Sequence, residues 1–95
     1  MDFLKEYGIK NEVIDKMLNS YDPVLIDVFL FDEGNVRKVI EYFQSLGIKV
    51  IDDLLLYRIE IFSIDVEKLK KSIARFDQQE LIRRINENYN TINCL

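Results

Sequence analysis

A shift of 33 positions lays Val28 to Phe43 on Ile61 to Phe76 without a gap. Phe29 meets Phe62, Asp32 meets Asp65, Lys38 meets Lys71 and Phe43 meets Phe76. Val28/Ile61, Val36/Leu69 and Ile40/Ile73 are matched apolar pairs. Each copy reads as a short apolar segment, an Asp and then an amphipathic helix. A chain of 95 residues that presents the same pattern twice is expected to stack two similar units, each covering apolar surface that the other leaves open. A second echo precedes it. Leu4 and Phe43 are each followed four and five positions later by Gly-Ile, the sign of a helix that ends with Gly in the left-handed region and the next residue folded back. Gly8 and Gly47 are therefore helix ends and not a phosphate-binding cluster.

Helices follow from this punctuation. A short N-terminal helix uses Phe3, Leu4 and Tyr7, and Asn11 is expected to cap a second through Val13, Ile14, Met17, Leu18 and Tyr21. Asp22-Pro23 ends it. Asp32 caps a helix with Val36, Val39, Ile40, Phe43 and Leu46 on one face, closed by Gly47. Ile51, Leu54 and Leu55 mark the next, and Asp65 caps one bearing Val66, Leu69, Ile73 and Phe76, with Ile64 stapled on Leu69. A last helix spans about 78–89, and residues 90–95 are expected to fray. The expected fold is thus all-α, one solenoid-like domain of about five to six helices over residues 1–95, with repeat-like units at about 4–46 and 43–76. Val24 to Phe31 and Tyr57 to Ile64 become connectors buried between layers. The alternative is a small α/β domain, because both segments are rich in β-branched and aromatic residues. Val24 to Phe31 does not alternate, however, and two strands make too small a sheet.

Several function classes fall away on composition. The chain has no His, which removes Ser-His and Cys-His nucleophile pairs and His-ligated zinc, and no spacing of its acids resembles a calcium loop. No catalytic, metal or cofactor site is expected, and enzyme function is disfavoured. Cys94 has no internal disulfide partner, which suits a reducing cytoplasm, and no uncharged apolar run is long enough for a membrane span. Seventeen acids against 13 bases give a net charge of −4, which disfavours nucleic acid.

Gly8-Ile9, Val13 to Leu18, Pro23-Val24-Leu25 and Val36 to Leu46 resemble one helical repeat of the mitochondrial transcription termination factor family (mTERF). Gly47-Ile48, Ile51 to Leu56, Ile59 to Phe62 and Val66 to Phe76 resemble a second, with Ile59 at the place of the family's proline. The resemblance implies an α-solenoid whose concave face grips nucleic acid. Two units and an acidic chain depart from that pattern, so the resemblance implies the architecture more than the activity.

The charge is uneven. Residues 1–62 hold 12 acids and 7 bases, whereas residues 63–95 hold 5 acids and 6 bases. Lys68, Lys71 and Arg75 are expected to form a stripe on the helix after Asp65, with Arg83 and Arg84 one helix later. These five are the candidate anion- or partner-binding residues, against the plainer expectation of a solvated helix face. Asp32-Glu33 suits a helix N-terminus, and neither this pair nor Asp52-Asp53 has the donor spacing of a calcium loop. Phe29, Phe31, Phe43, Phe62 and Phe76 are expected in the core, and Tyr42, Tyr57 and Tyr89 at an interface. The expected function is a cytoplasmic, non-enzymatic protein-binding or adaptor module with a protein partner or a second copy, the alternative being a nucleic-acid-associated protein that uses the five basic residues.

Overall fold

Four of the six α-helices begin where an Asp accepts a backbone N–H, and two of the nine helical segments end where a Gly turns left-handed. All 95 residues are described by a computed structural model, in which six α-helices and three 3-10 segments follow one another without a strand. A 3-10 segment, Asp2–Tyr7, leads to α1 (Asn11–Ser20), α2 (Pro23–Phe31), α3 (Glu33–Leu46) and α4 (Ile51–Tyr57). A second 3-10 segment, Ile59–Ser63, precedes α5 (Val66–Ile73), α6 (Gln78–Glu87) and a last 3-10 segment, Tyr89–Cys94. Asp22, Asp32, Asp65 and Asp77 accept from the backbone N–H of Val24, Asn35, Glu67 and Glu80, at 2.8, 3.1, 2.9 and 3.2 Å. Each satisfies an N–H that the helix itself leaves without a partner. Asn11 does not act as a cap. It is the first residue of α1, and Lys10 takes the cap position without a side-chain bond.

Gly8 and Gly47 have φ of 83° and 85°. Ile9 and Ile48 donate back to the carbonyls of Leu4 and Phe43 at 3.3 and 3.1 Å, and both side chains are buried. These paired bonds are the Schellman arrangement that the two Gly-Ile echoes predict.

The α/β alternative is not supported. Val24 to Phe31 belongs to α2 because Asp22 and Pro23 start a helix there: Asp22 is the cap and Pro23 the first helical residue, whose missing N–H costs nothing. The expectation of a buried connector is also corrected for this segment, since α2 buries only Ile26 and Phe29 and turns Val24, Val28 and Phe31 outward. The other segment is divided between the end of α4 and the second 3-10 segment, which buries Ile59, Ile61 and Phe62.

The core is wholly apolar; no polar or charged residue is buried. Its centre is a run of aromatic rings. Phe3 stacks on Phe29 at 6.3 Å between centroids, Phe29 meets Phe62 edge-on at 6.2 Å, and Phe62 meets Phe43 at 5.9 Å. Two Phe expected there lie elsewhere. Phe31 is 92% exposed at the outer side of α2, and Phe76 is 40% exposed. Phe76 is displaced because α5 stops at Ile73. Asp77 must be extended to cap α6, so the chain tightens through bonds from Arg75 to Ser72 and Phe76 to Ile73.

Residues 90–95 do not fray. Ile92 is buried, Tyr89 stacks on Tyr57 at 5.4 Å, and Arg58 donates to the side-chain oxygens of Asn90 and Asn93. An apolar anchor and three side-chain contacts hold a segment whose short polar sequence shows no helical period.

Segments far apart in the chain are joined by polar side chains. Gln44 of α3 holds the Tyr7 carbonyl beside the first Gly turn, and Asn86 of α6 holds both Gly47 O and Lys49 N–H at the second. Tyr21 donates to Leu55 O at 2.8 Å. All long-range side-chain hydrogen bonds span between 27 and 39 positions. The molecule measures 35 × 24 × 23 Å.

Candidate functional site

The five basic residues singled out in the sequence divide into two groups. Lys68 and Lys71 are exposed on α5, away from its buried Leu69 and Ile73, and neither has an acidic partner. Arg75 is also unpaired but stands in the turn beyond the helix end, so the expected three-residue stripe is shortened to two residues of helix. Arg83 and Arg84 are occupied. Arg83 binds both carboxylate oxygens of Glu80, at 2.6 and 3.0 Å, and reaches Glu87 at 2.6 Å, while Arg84 binds Glu80 at 2.8 Å. The i,i+3 and i,i+4 spacing on α6 brings these groups together. Their charge is balanced locally, leaving little for an anion.

Hydrogen bonds from Arg83 and then Arg84 lower the Glu80 carboxyl from 4.5 to about 2. A carboxylate with a depressed folded-state pKa contributes stability above its unfolded pKa and loses it as pH falls through the folded one. Wild type is therefore expected to melt above Glu80→Gln at pH 6, and the difference is expected to close between about pH 4.5 and 2. Equal melting temperatures at pH 6 would show that the network adds nothing. Because all members are exposed, the difference is expected to shrink in high salt.

Side chains that could carry chemistry do not converge. No three Asp, Glu or Cys side chains form a group fit to hold a metal ion, and every buried side-chain polar atom has a hydrogen-bond partner. The largest depression, about 440 Å³, lies between α3 and α5 and is wide open, with Lys38, Glu41, Glu67 and Lys70 mixed along its walls. Lys70 pairs with Glu67 at 3.4 Å and lies over the Tyr42 ring, which occupies that Tyr at the same groove. Tyr57 and Tyr89 are stacked on each other. Cys94 is exposed and free. No helix is long and apolar enough to cross a membrane.

The face that stands out was missed in the sequence. Val24, Val28 and Phe31, at i, i+4 and i+7, make a stripe along the outer side of α2, 66, 53 and 92% exposed, with Leu25 46% exposed at its flank. Together with Asp27 they border a shallow depression of about 260 Å³. A lone exposed apolar residue is ordinary, but four on one nine-residue helix form a patch. The available signal was a helix apolar all round. Pro23 marks its start, and no single buried face of an outer helix accommodates Val24, Leu25, Ile26, Val28, Phe29, Leu30 and Phe31 together.

No family model, curated protein or solved structure matches this chain.

Proposed function

We propose that the protein is a non-enzymatic, cytoplasmic helical-repeat module that binds another protein through the outer face of α2. The observation that carries this reading is the Val24, Val28 and Phe31 stripe, which with Leu25 gathers four exposed apolar side chains on one helix, whereas Leu18, Tyr57, Ile64 and Phe76 are exposed singly on separate segments. Water-exposed apolar area of that kind gains free energy by being covered. The absence of His and the wholly apolar core, which has no carboxylate placed in a low dielectric, support a binding module over an enzyme. The repeat arrangement, and with it the likeness to mTERF-type units, is supported by the two Gly-Ile turns and by side-chain hydrogen bonds that each reach one layer onward.

A double substitution tests it. Val28→Ser with Phe31→Ser removes the stripe without touching the core, so the variant is expected to keep the helical circular dichroism of wild type and melt within a few degrees of it. In quantitative pull-down from native lysate, the partners retained by wild type are expected to be lost from the variant. The same partners on both proteins would sink the proposal.

A second reading, contact with nucleic acid, rests on Lys68, Lys71 and Arg75 being free of acidic partners. Phosphate contacts show first at low salt, so a titration against duplex DNA and single-stranded RNA separates the two. Absence of binding at low salt removes this second reading.

A further inference from the structure

We infer that the occupant of the α2 face is an amphipathic helix of a partner protein whose apolar stripe is flanked by Lys and Arg. This inference rests on the proposal that α2 is a binding face, and it names the chemistry of the partner.

Charge is the first ground. From Asp22 to Val36 the chain has four acids and no base. Glu33 is taken by Arg37 at 3.0 Å, but Asp22, Asp27 and Asp32 have no cationic partner. Asp22 and Asp32 cap successive helices at the two ends of α2, and Asp27 lies beside the stripe itself. A partner that covers Val28 and Phe31 must bring its flanks near these carboxylates. Acidic flanks would be repelled there, as would phosphates, whereas Lys or Arg would be drawn in.

Shape is the second ground. Val24 to Phe31 is two turns of helix, about 10 Å along the axis at 1.5 Å per residue. That length suits a partner helix anchored by residues at i, i+3, i+4 and i+7. Area is the third. Four partly exposed side chains on one short helix supply on the order of half the roughly 800 Å² that each subunit contributes to a stable dimer. A second copy of this chain is thus a poorer occupant than a narrow helix.

A displayed library of helical peptides provides the test, with Leu, Ile or Phe fixed at i, i+3, i+4 and i+7 and every flanking position randomised over Lys, Arg, Glu, Asp, Gln and Ser. Selected on wild type and counter-selected on the Val28→Ser/Phe31→Ser variant, the pool is expected to enrich Lys and Arg over Asp and Glu at the flanks at least threefold. A selected basic peptide is expected to bind Asp27→Lys about tenfold more weakly, and to weaken as salt rises. Enrichment of neutral or acidic flanks overturns the basic-helix inference and leaves the α2 face intact as a binding surface. Peptides that bind the double variant as well as wild type, or no enrichment at all, overturn both. Sedimentation of wild type as a dimer at micromolar concentration, abolished by the double variant, would assign the face to a second copy and overturn the basic-helix inference alone.

Discussion

Phe62→Ala is expected to lower the free energy of unfolding by about 3–5 kcal/mol, the range for removing a buried aromatic ring and leaving its cavity. Phe62 has no exposed surface, and its ring is met by Phe29 at 6.2 Å and Phe43 at 5.9 Å, both edge-on. Through Phe29 it is linked to Phe3. These four rings come from the first 3-10 segment, α2, α3 and the second 3-10 segment, so the cavity opens where both copies of the repeat pattern meet. Small domains have only about 5–15 kcal/mol of net stability, and the variant is expected to stand near its unfolding transition at 37 °C. Denaturant titration provides the check, as a large fall in midpoint with the slope unchanged. Phe31→Ala is the control. With its ring 92% exposed, it is expected to change stability by less than about 0.5 kcal/mol. A loss below about 1 kcal/mol for Phe62→Ala would mean that the aromatic run does not hold the layers together.

Asn35→Ala is expected to cost about 2–3 kcal/mol, more than any other polar substitution here, because one side chain serves three backbone groups. Its Nδ2 donates to the carbonyls of Ile64 at 2.7 Å and Phe62 at 3.3 Å, and its Oδ1 accepts from Val66 N–H at 3.1 Å. Val66 is the first residue of α5, where the helix supplies no acceptor of its own. Asn35 therefore joins the first turn of α3 to the start of α5 and fixes the segment between them. Asn35→Asp sharpens the test. It retains an acceptor for Val66 but sets an anionic oxygen against two carbonyls, and at neutral pH it is expected to be no more stable than Asn35→Ala. Amide hydrogen exchange at Val66 is expected to rise in both variants. If Val66 stays protected in Asn35→Ala, the clamp is not what orders this junction.

Comparable roles are filled by Gln44 and Asn86, each on a later helix and each gripping a helix end one layer back. None of the three amides was legible beforehand. An Asn or Gln on the polar side of an amphipathic helix looks the same whether it faces water or a neighbouring turn, and its partners lie tens of residues away. Asp32 and Asp65 were legible as caps because their partners are two or three residues ahead. Arg83 and Arg84 show the same divide. Their spacing from Glu80 and Glu87 permits pairing, but so did that of many exposed charges, and only the rotamers show that these two are neutralised while Lys68 and Lys71 are free.

Sequence alone favoured the all-helical class over a small α/β domain and placed the two left-handed Gly ends and most helix starts, since backbone capping and 3.6-residue periodicity act within one or two turns. Tertiary structure decided which apolar side chains turn inward. Phe29 and Phe31 are two residues apart in the same apolar run, one buried and one almost fully exposed, because an outer helix has one neighbouring layer and only one of its sides can face it. The same one-sided packing turns Val24, Val28 and Phe31 outward on α2 and makes that helix the candidate binding face.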